Sequence, residues 1–63
     1  MYQFEAKNAE QLDRCLRMLH PEKIKFEVIT MENEKRKIEY RVKVDIDEDR
    51  FTKLNKMYQI LIS

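Results

Sequence analysis

The stretch Ile38-Glu39-Tyr40-Arg41-Val42-Lys43-Val44-Asp45-Ile46-Asp47 alternates a large apolar residue with a charged one at every step. Successive side chains of an extended chain point to opposite faces. Ile38, Tyr40, Val42, Val44 and Ile46 therefore share one face, and Glu39, Arg41, Lys43, Asp45 and Asp47 share the other. A helix would scatter the same residues around its axis. The pattern predicts a β-strand with one buried and one solvated face.

Upstream, Ile24, Phe26 and Val28 repeat the alternation, and "ENEKRK" at 32–37 separates the two runs as the turn of a hairpin. Keeping both apolar sets on one side requires facing residue numbers to sum to an even value, as in Thr30 or Val28 opposite Ile38. The connection then has an odd number of residues or carries a bulge. The chain contains no glycine, so a left-handed backbone position falls to another residue, and among the asparagines at 8, 33 and 55, Asn33 is placed to supply it in the hairpin.

Nearer the start, Tyr2, Phe4 and Ala6 alternate with Gln3, Glu5 and Lys7 as a first strand over residues 2–7. Asn8 follows as a helix N-cap with Gln11 at the capping-box position. Leu12, Cys15, Leu16 and Leu19 then recur at helical spacing, with Glu10, Asp13, Arg14 and Arg17 facing water. His20-Pro21 closes this helix, because the residue before proline disfavours helical geometry. Downstream of the central stretch, Asp47, Glu48 and Asp49 supply a cap and two acids for a second helix, whose predicted buried stripe is Phe51, Leu54, Tyr58 and Leu61. The terminal "YQILIS" is strand-like in composition, but no loop residue separates it from that stripe, so it is read as helical.

The predicted fold is one α+β domain over residues 1–63. It has two layers in the order β-α-β-β-α, a mostly antiparallel three-stranded sheet with the third strand central, and both helices on one face. This element order resembles half of a ferredoxin-like fold and the layout of DinI-like proteins.

Familiar catalytic signatures are lacking. Without glycine there is no Walker loop, dinucleotide fingerprint or nucleophile elbow. Asp45, Asp47 and Asp49 have the 1, 3, 5 spacing of a calcium loop, but its sixth position is Arg50, its twelfth is Lys56, and a strand precedes it, so capping and a solvated face account for the acids better. His20 is read as a helix-terminal residue and Cys15 as a small core residue. The expectation is a protein that is not an enzyme and uses no cofactor or metal.

With 13 Lys+Arg against 12 Asp+Glu, the charge balance does not select a polyanionic partner. No apolar run is long enough to span a bilayer, and the expected location is the cytoplasm. A nucleic-acid reading rests on the basic hairpin residues Lys35, Arg36 and Lys37, with Arg41 and Lys43 nearby. Against it, all six aromatics fall on core-facing positions, leaving the outer sheet face without a base-stacking platform, and acids interleave with the bases there.

A set of apolar residues remains without a predicted intrachain role: Met18, Ile29, Met31, Met57, Ile60 and Ile62. Domains of this size have marginal cores, so a second chain covering these residues would both shield them and add burial. The edge strands, the first beginning at Met1, offer one route to a homodimer, and the C-terminal helix offers another. The expected function is that of a small, homodimeric protein-binding module, an inhibitor or regulator. Its size and its abundance of Lys, Glu and Ile suit a bacteriophage or other mobile element acting on a host defence enzyme.

Overall fold

In the computed structural model, which describes residues 2–63, the central alternating stretch forms β3 (Ile38–Val44), flanked by β1 (Tyr2–Ala6) and β2 (Phe26–Glu32). Both neighbours run antiparallel to β3, giving the order β1-β3-β2 and leaving β1 and β2 as edges. Any start of the first strand at Met1 lies outside the described residues. The helices are α1 (Ala9–Leu19) and α2 (Glu48–Ile62), and a 3-10 turn, His20–Glu22, follows α1. This is the predicted small α+β fold, and the C-terminal run is helical.

The register sets the core. Phe4 faces Val42, which faces Val28, while Tyr2 faces Val44, which faces Phe26. Thr30 stands opposite Tyr40, two residues along from the Ile38 pairing used to illustrate the even-sum rule, and the rule itself holds. Phe4, Val42 and Val44 pack with Cys15, Met18, Leu19, Ile24, Leu54 and Tyr58 in one buried cluster. Phe51 stacks on Tyr2 at a ring separation of 4.7 Å and lies 4.9 Å from Phe4, while Tyr58 meets Phe4 edge-on at 5.5 Å. Aromatic pairs at these separations fix the position of α2 against β1.

The caps form where the sequence placed them. Asn8 Oδ1 accepts from the Gln11 N–H at 2.9 Å, and Asp47 Oδ1 accepts from the Arg50 N–H at 2.7 Å. Gln11 Oε1 reaches one residue further back than a standard capping box and accepts from the Lys7 N–H. Past α1, His20 keeps a helical conformation and the chain makes the 3-10 turn before reversing at Lys23, whose φ is 53°.

The hairpin corrects one expectation. Asn33 does not take the left-handed position; Arg36 does, at φ 58°. The Arg36 N–H donates to the Asn33 carbonyl at 2.9 Å and the Asn33 N–H donates to the Lys37 carbonyl at 3.0 Å. This is a tight turn followed by a bulge residue, which puts the positive φ at the third loop position. Asn33 instead holds the loop from inside, its Oδ1 accepting from the N–H groups of Lys35 and Lys37.

Candidate docking surfaces

The helices cover only part of the sheet. Both pack on β1 and on each other, whereas the extensive contacts of β2 are with β3. Phe26 and Val28, expected in the core, lie on the core-facing side yet remain 42% and 37% exposed, and Ile38 is 51% exposed. The pattern predicted the correct face. It carried no information on which strand the helices would lie over. One legible sign was missed: Thr30 and Glu32 share the face of Phe26 and Val28, and a polar end on an apolar face marks a surface that meets water.

Between this bare half-sheet and α1, Leu16, His20, Pro21 and Phe26 line a shallow depression. His20 sits at its rim on the 3-10 turn. On the opposite face of the sheet, Ile29 is half-buried across from Arg41 and Met31 is exposed across from Glu39, as the alternation predicted.

A second apolar surface runs along α2. Ile60 is 74% exposed and Met57 50% exposed, so these two members of the surplus set lack cover. Two others are corrected. Met18 is buried, because α1 packs beside α2 and its apolar stripe widens on that side. Ile62 packs against the core while Leu61, predicted to be buried, is exposed. Stacking of Phe51 on β1 explains the exchange: it rolls α2 so that the side carrying Phe51, Tyr58 and Ile62 faces inward and Leu61 moves to the margin.

Met57 and Leu61 join Met18 in a groove between the two helices, bordered by Arg14 and Arg17 of α1. The Arg14 guanidinium donates to the Leu61 carbonyl, satisfying an otherwise free acceptor in the last turn of α2. It also pairs with Glu10 at 2.8 Å, while Arg17 pairs with Asp13 at 2.9 Å. On the other flank of α2, Arg50 pairs with Glu22 at 3.2 Å.

The basic hairpin set is divided. Lys35, Arg36 and Lys37 are exposed together at the loop. Arg41 and Lys43 sit in the sheet: Arg41 lies 3.9 Å from Glu5, and Lys43 stands between Gln3 and Glu27. The acids at 45, 47 and 49 serve three local purposes, with Asp45 in the loop after β3, Asp47 as the cap and Asp49 in the first turn of α2. Among the described residues, no three His, Cys, Asp or Glu side chains converge on a possible metal position. Burial pushes the Cys15 thiol up to about 11, far from the range of a reactive thiolate. Among the described residues no helix is long and apolar enough to cross a membrane. Compared with known proteins, the chain matches no family, no curated protein and no solved structure.

Proposed function

We propose that this chain is a non-enzymatic protein-binding module, an inhibitor or regulator that works by laying apolar surface against another protein. The observation that carries the reading is the exposure of Phe26, Val28 and Ile38 on the same face as the core, with Met57, Ile60 and Leu61 exposed on a separate surface of α2. Contiguous apolar patches rimmed by polar residues mark interaction sites. Two such surfaces on so small a domain accommodate a second copy at the half-sheet and a target at α2. In this reading the chain is a homodimer, and its abundance of Lys, Glu and Ile fits a mobile-element product directed at a host enzyme.

Affinity capture of the tagged chain from its host, with and without nuclease, tests the proposal. A protein partner retained after nuclease treatment and lost in Met57→Glu/Ile60→Glu is the expected result. Recovery of nucleic acid alone, or of nothing, contradicts it.

The second reading is a nucleic-acid-binding regulator. It is favoured by one observation, the joint exposure of Lys35, Arg36 and Lys37 at the hairpin loop, none of them ion-paired among the described residues. Glu34 within the loop and Glu39 beside it reduce the local field. Under this reading, reversing the three charges abolishes binding.

A further inference from the structure

We infer that two copies of this chain join through β2, which pairs antiparallel with β2 of the second copy across a twofold axis to make one six-stranded sheet. This pairing rests on the homodimeric reading above and assigns its edge and its register.

The two edges of the sheet differ in what their backbones leave free. In an antiparallel ladder, directly opposite residues alternate between pairs that exchange hydrogen bonds and pairs whose N–H and C=O groups point away. The Asn33 N–H donates to the Lys37 carbonyl, so in the unbroken register that follows, Met31, Ile29 and Glu27 bond to β3. The backbone groups of Phe26, Val28, Thr30 and Glu32 therefore point outward, and no side chain among the described residues bonds to them. On β1 the outward groups are those of Gln3 and Glu5. There the Tyr58 hydroxyl donates to the Glu5 carbonyl at 2.6 Å, and Gln11 Oε1 accepts from the N–H of Lys7, just past the strand, at 2.9 Å. Both helices also pack on β1, whereas the extensive contacts of β2 are with β3. Natural sheets guard an exposed edge with lysine, proline, a bulge or a covering element, and the seven residues of β2 have none of these. One open and one guarded edge give an assembly that stops at two, because both outer edges of the joined sheet are then β1.

The sequence of β2 is complementary to itself. A twofold axis centred on Ile29 overlaps all seven residues, setting Phe26 opposite Glu32, Val28 opposite Thr30, Glu27 opposite Met31, and Ile29 opposite its own counterpart. Every outward N–H and C=O then has a partner, each residue keeps its face of the sheet, and no like charges stand opposite one another. A register shifted by two residues leaves one end residue of each strand unpaired. Ile29 and Met31, the apolar residues of the outer face, gain cross-strand neighbours. On the core-facing side, Thr30 and Glu32 of the second copy flank the exposed Val28 and Phe26. Glu32 makes no ion pair among the described residues, and it arrives beside the Phe26 that lines the depression with Arg17 and His20. Arg17 already holds Asp13, which leaves the exposed His20 as the donor open to that carboxylate. A strand from another protein would have to reproduce this whole match. A second copy supplies it.

Sedimentation of the full chain from low to high micromolar concentration is expected to show a monomer–dimer equilibrium. Thr30→Pro deletes an outward N–H that the β2–β3 ladder does not use, and is expected to leave only the monomer. Cysteine substitution with oxidised glutathione reads the register, because opposite residues of a non-hydrogen-bonded pair lie about 4.5 Å apart at Cα and a disulfide spans at most about 7 Å. Ile29→Cys is expected to cross-link about tenfold or more faster than Glu27→Cys or Met31→Cys, whose own counterparts lie roughly 13 Å away along the strand. Cys15 is fully buried and does not compete. Cooperative thermal melts establish that each variant folds, and the mass of the unaltered chain depends on no variant. A monomer at every concentration, equal cross-linking at the three positions, fastest cross-linking through Gln3→Cys on β1, or a dimer that survives Thr30→Pro overturns the inference. So does a monomeric chain that captures a protein and loses it in Thr30→Pro, since the edge would then receive a strand of the target. A dimer with another register removes this pairing and leaves the homodimeric reading standing. If the pairing is found while affinity capture yields nothing, the pairing stands and the inhibitor reading falls.

Discussion

Four residues show how local chemistry settles the structure. Arg36 holds a left-handed backbone position without being glycine, and the steric cost to a residue with a Cβ is about 1 kcal/mol. Arg36→Gly is therefore expected to stabilise the hairpin by up to about 1 kcal/mol, measurable as a higher urea midpoint. Asn33→Ala has the opposite effect, because the acceptor shared by the Lys35 and Lys37 N–H groups is lost. Sequence identified this asparagine as the pivot but assigned it the wrong task, since loop geometry, which composition does not reveal, decides where the positive φ falls. Tyr58 and Cys15 are coupled through the core. Burial raises both pKa values, that of Cys15 from 9.0 to about 11, and charge on Cys15 raises that of Tyr58 further. Both groups are neutral when protonated, so the folded state holds their protons more tightly than the unfolded chain does. The Cys15 contribution is complete below about pH 9 and is lost as pH rises toward 11, accounting for roughly 2 to 3 kcal/mol, and Tyr58 adds a loss of the same sign above its ordinary value of 10.0. Urea melts across that window should show falling stability, with a weaker slope in Cys15→Ala; a flat profile would refute the assignment.

At the scale of elements, strands and caps were legible, whereas coverage left only the trace of Thr30 and Glu32 on the face of Phe26 and Val28. Period-two alternation places side chains on faces, and Asn8 and Asp47 carry the capping chemistry their positions demand. Replacing either by Ala is expected to cost about 1 kcal/mol of stability. Lateral placement of helices depends on contacts such as Phe51 on Tyr2 and Phe4, which link distant parts of the chain and leave no periodic trace. The same contacts decide the margins of α2, which is why Leu61 and Ile62 exchanged roles. The consequence is measurable on β1 and β2. Phe4→Ala, at a site 2% exposed, should cost about 3 to 5 kcal/mol, whereas Phe26→Ala, at a site 42% exposed, should cost under about 2. Those values are for the monomer; at concentrations where a second copy covers the half-sheet, as proposed above, the Phe26→Ala cost should rise toward that of Phe4→Ala. Amide exchange should be slowest in β3, the strand paired on both sides.

At the scale of the whole molecule, a core of ten buried apolar residues among those described supports a domain that leaves a half-sheet and a helix stripe exposed. Domains of about this length are marginal, so binding that covers such surface adds directly to stability. In the proposed role this exposed apolar surface is what a partner covers. The methionines supply the direct test, since Met57 lies in the helix groove, Met18 beneath it and Met31 on the far face of the sheet. A methyl NMR spectrum of the chain, labelled at methionine and titrated with the protein it captures, reads all three at once. A large shift of the Met57 methyl is expected, with a smaller one for Met18 and none for Met31. Movement of Met31 or of the hairpin amides at 35–37 with Met57 unchanged would contradict it.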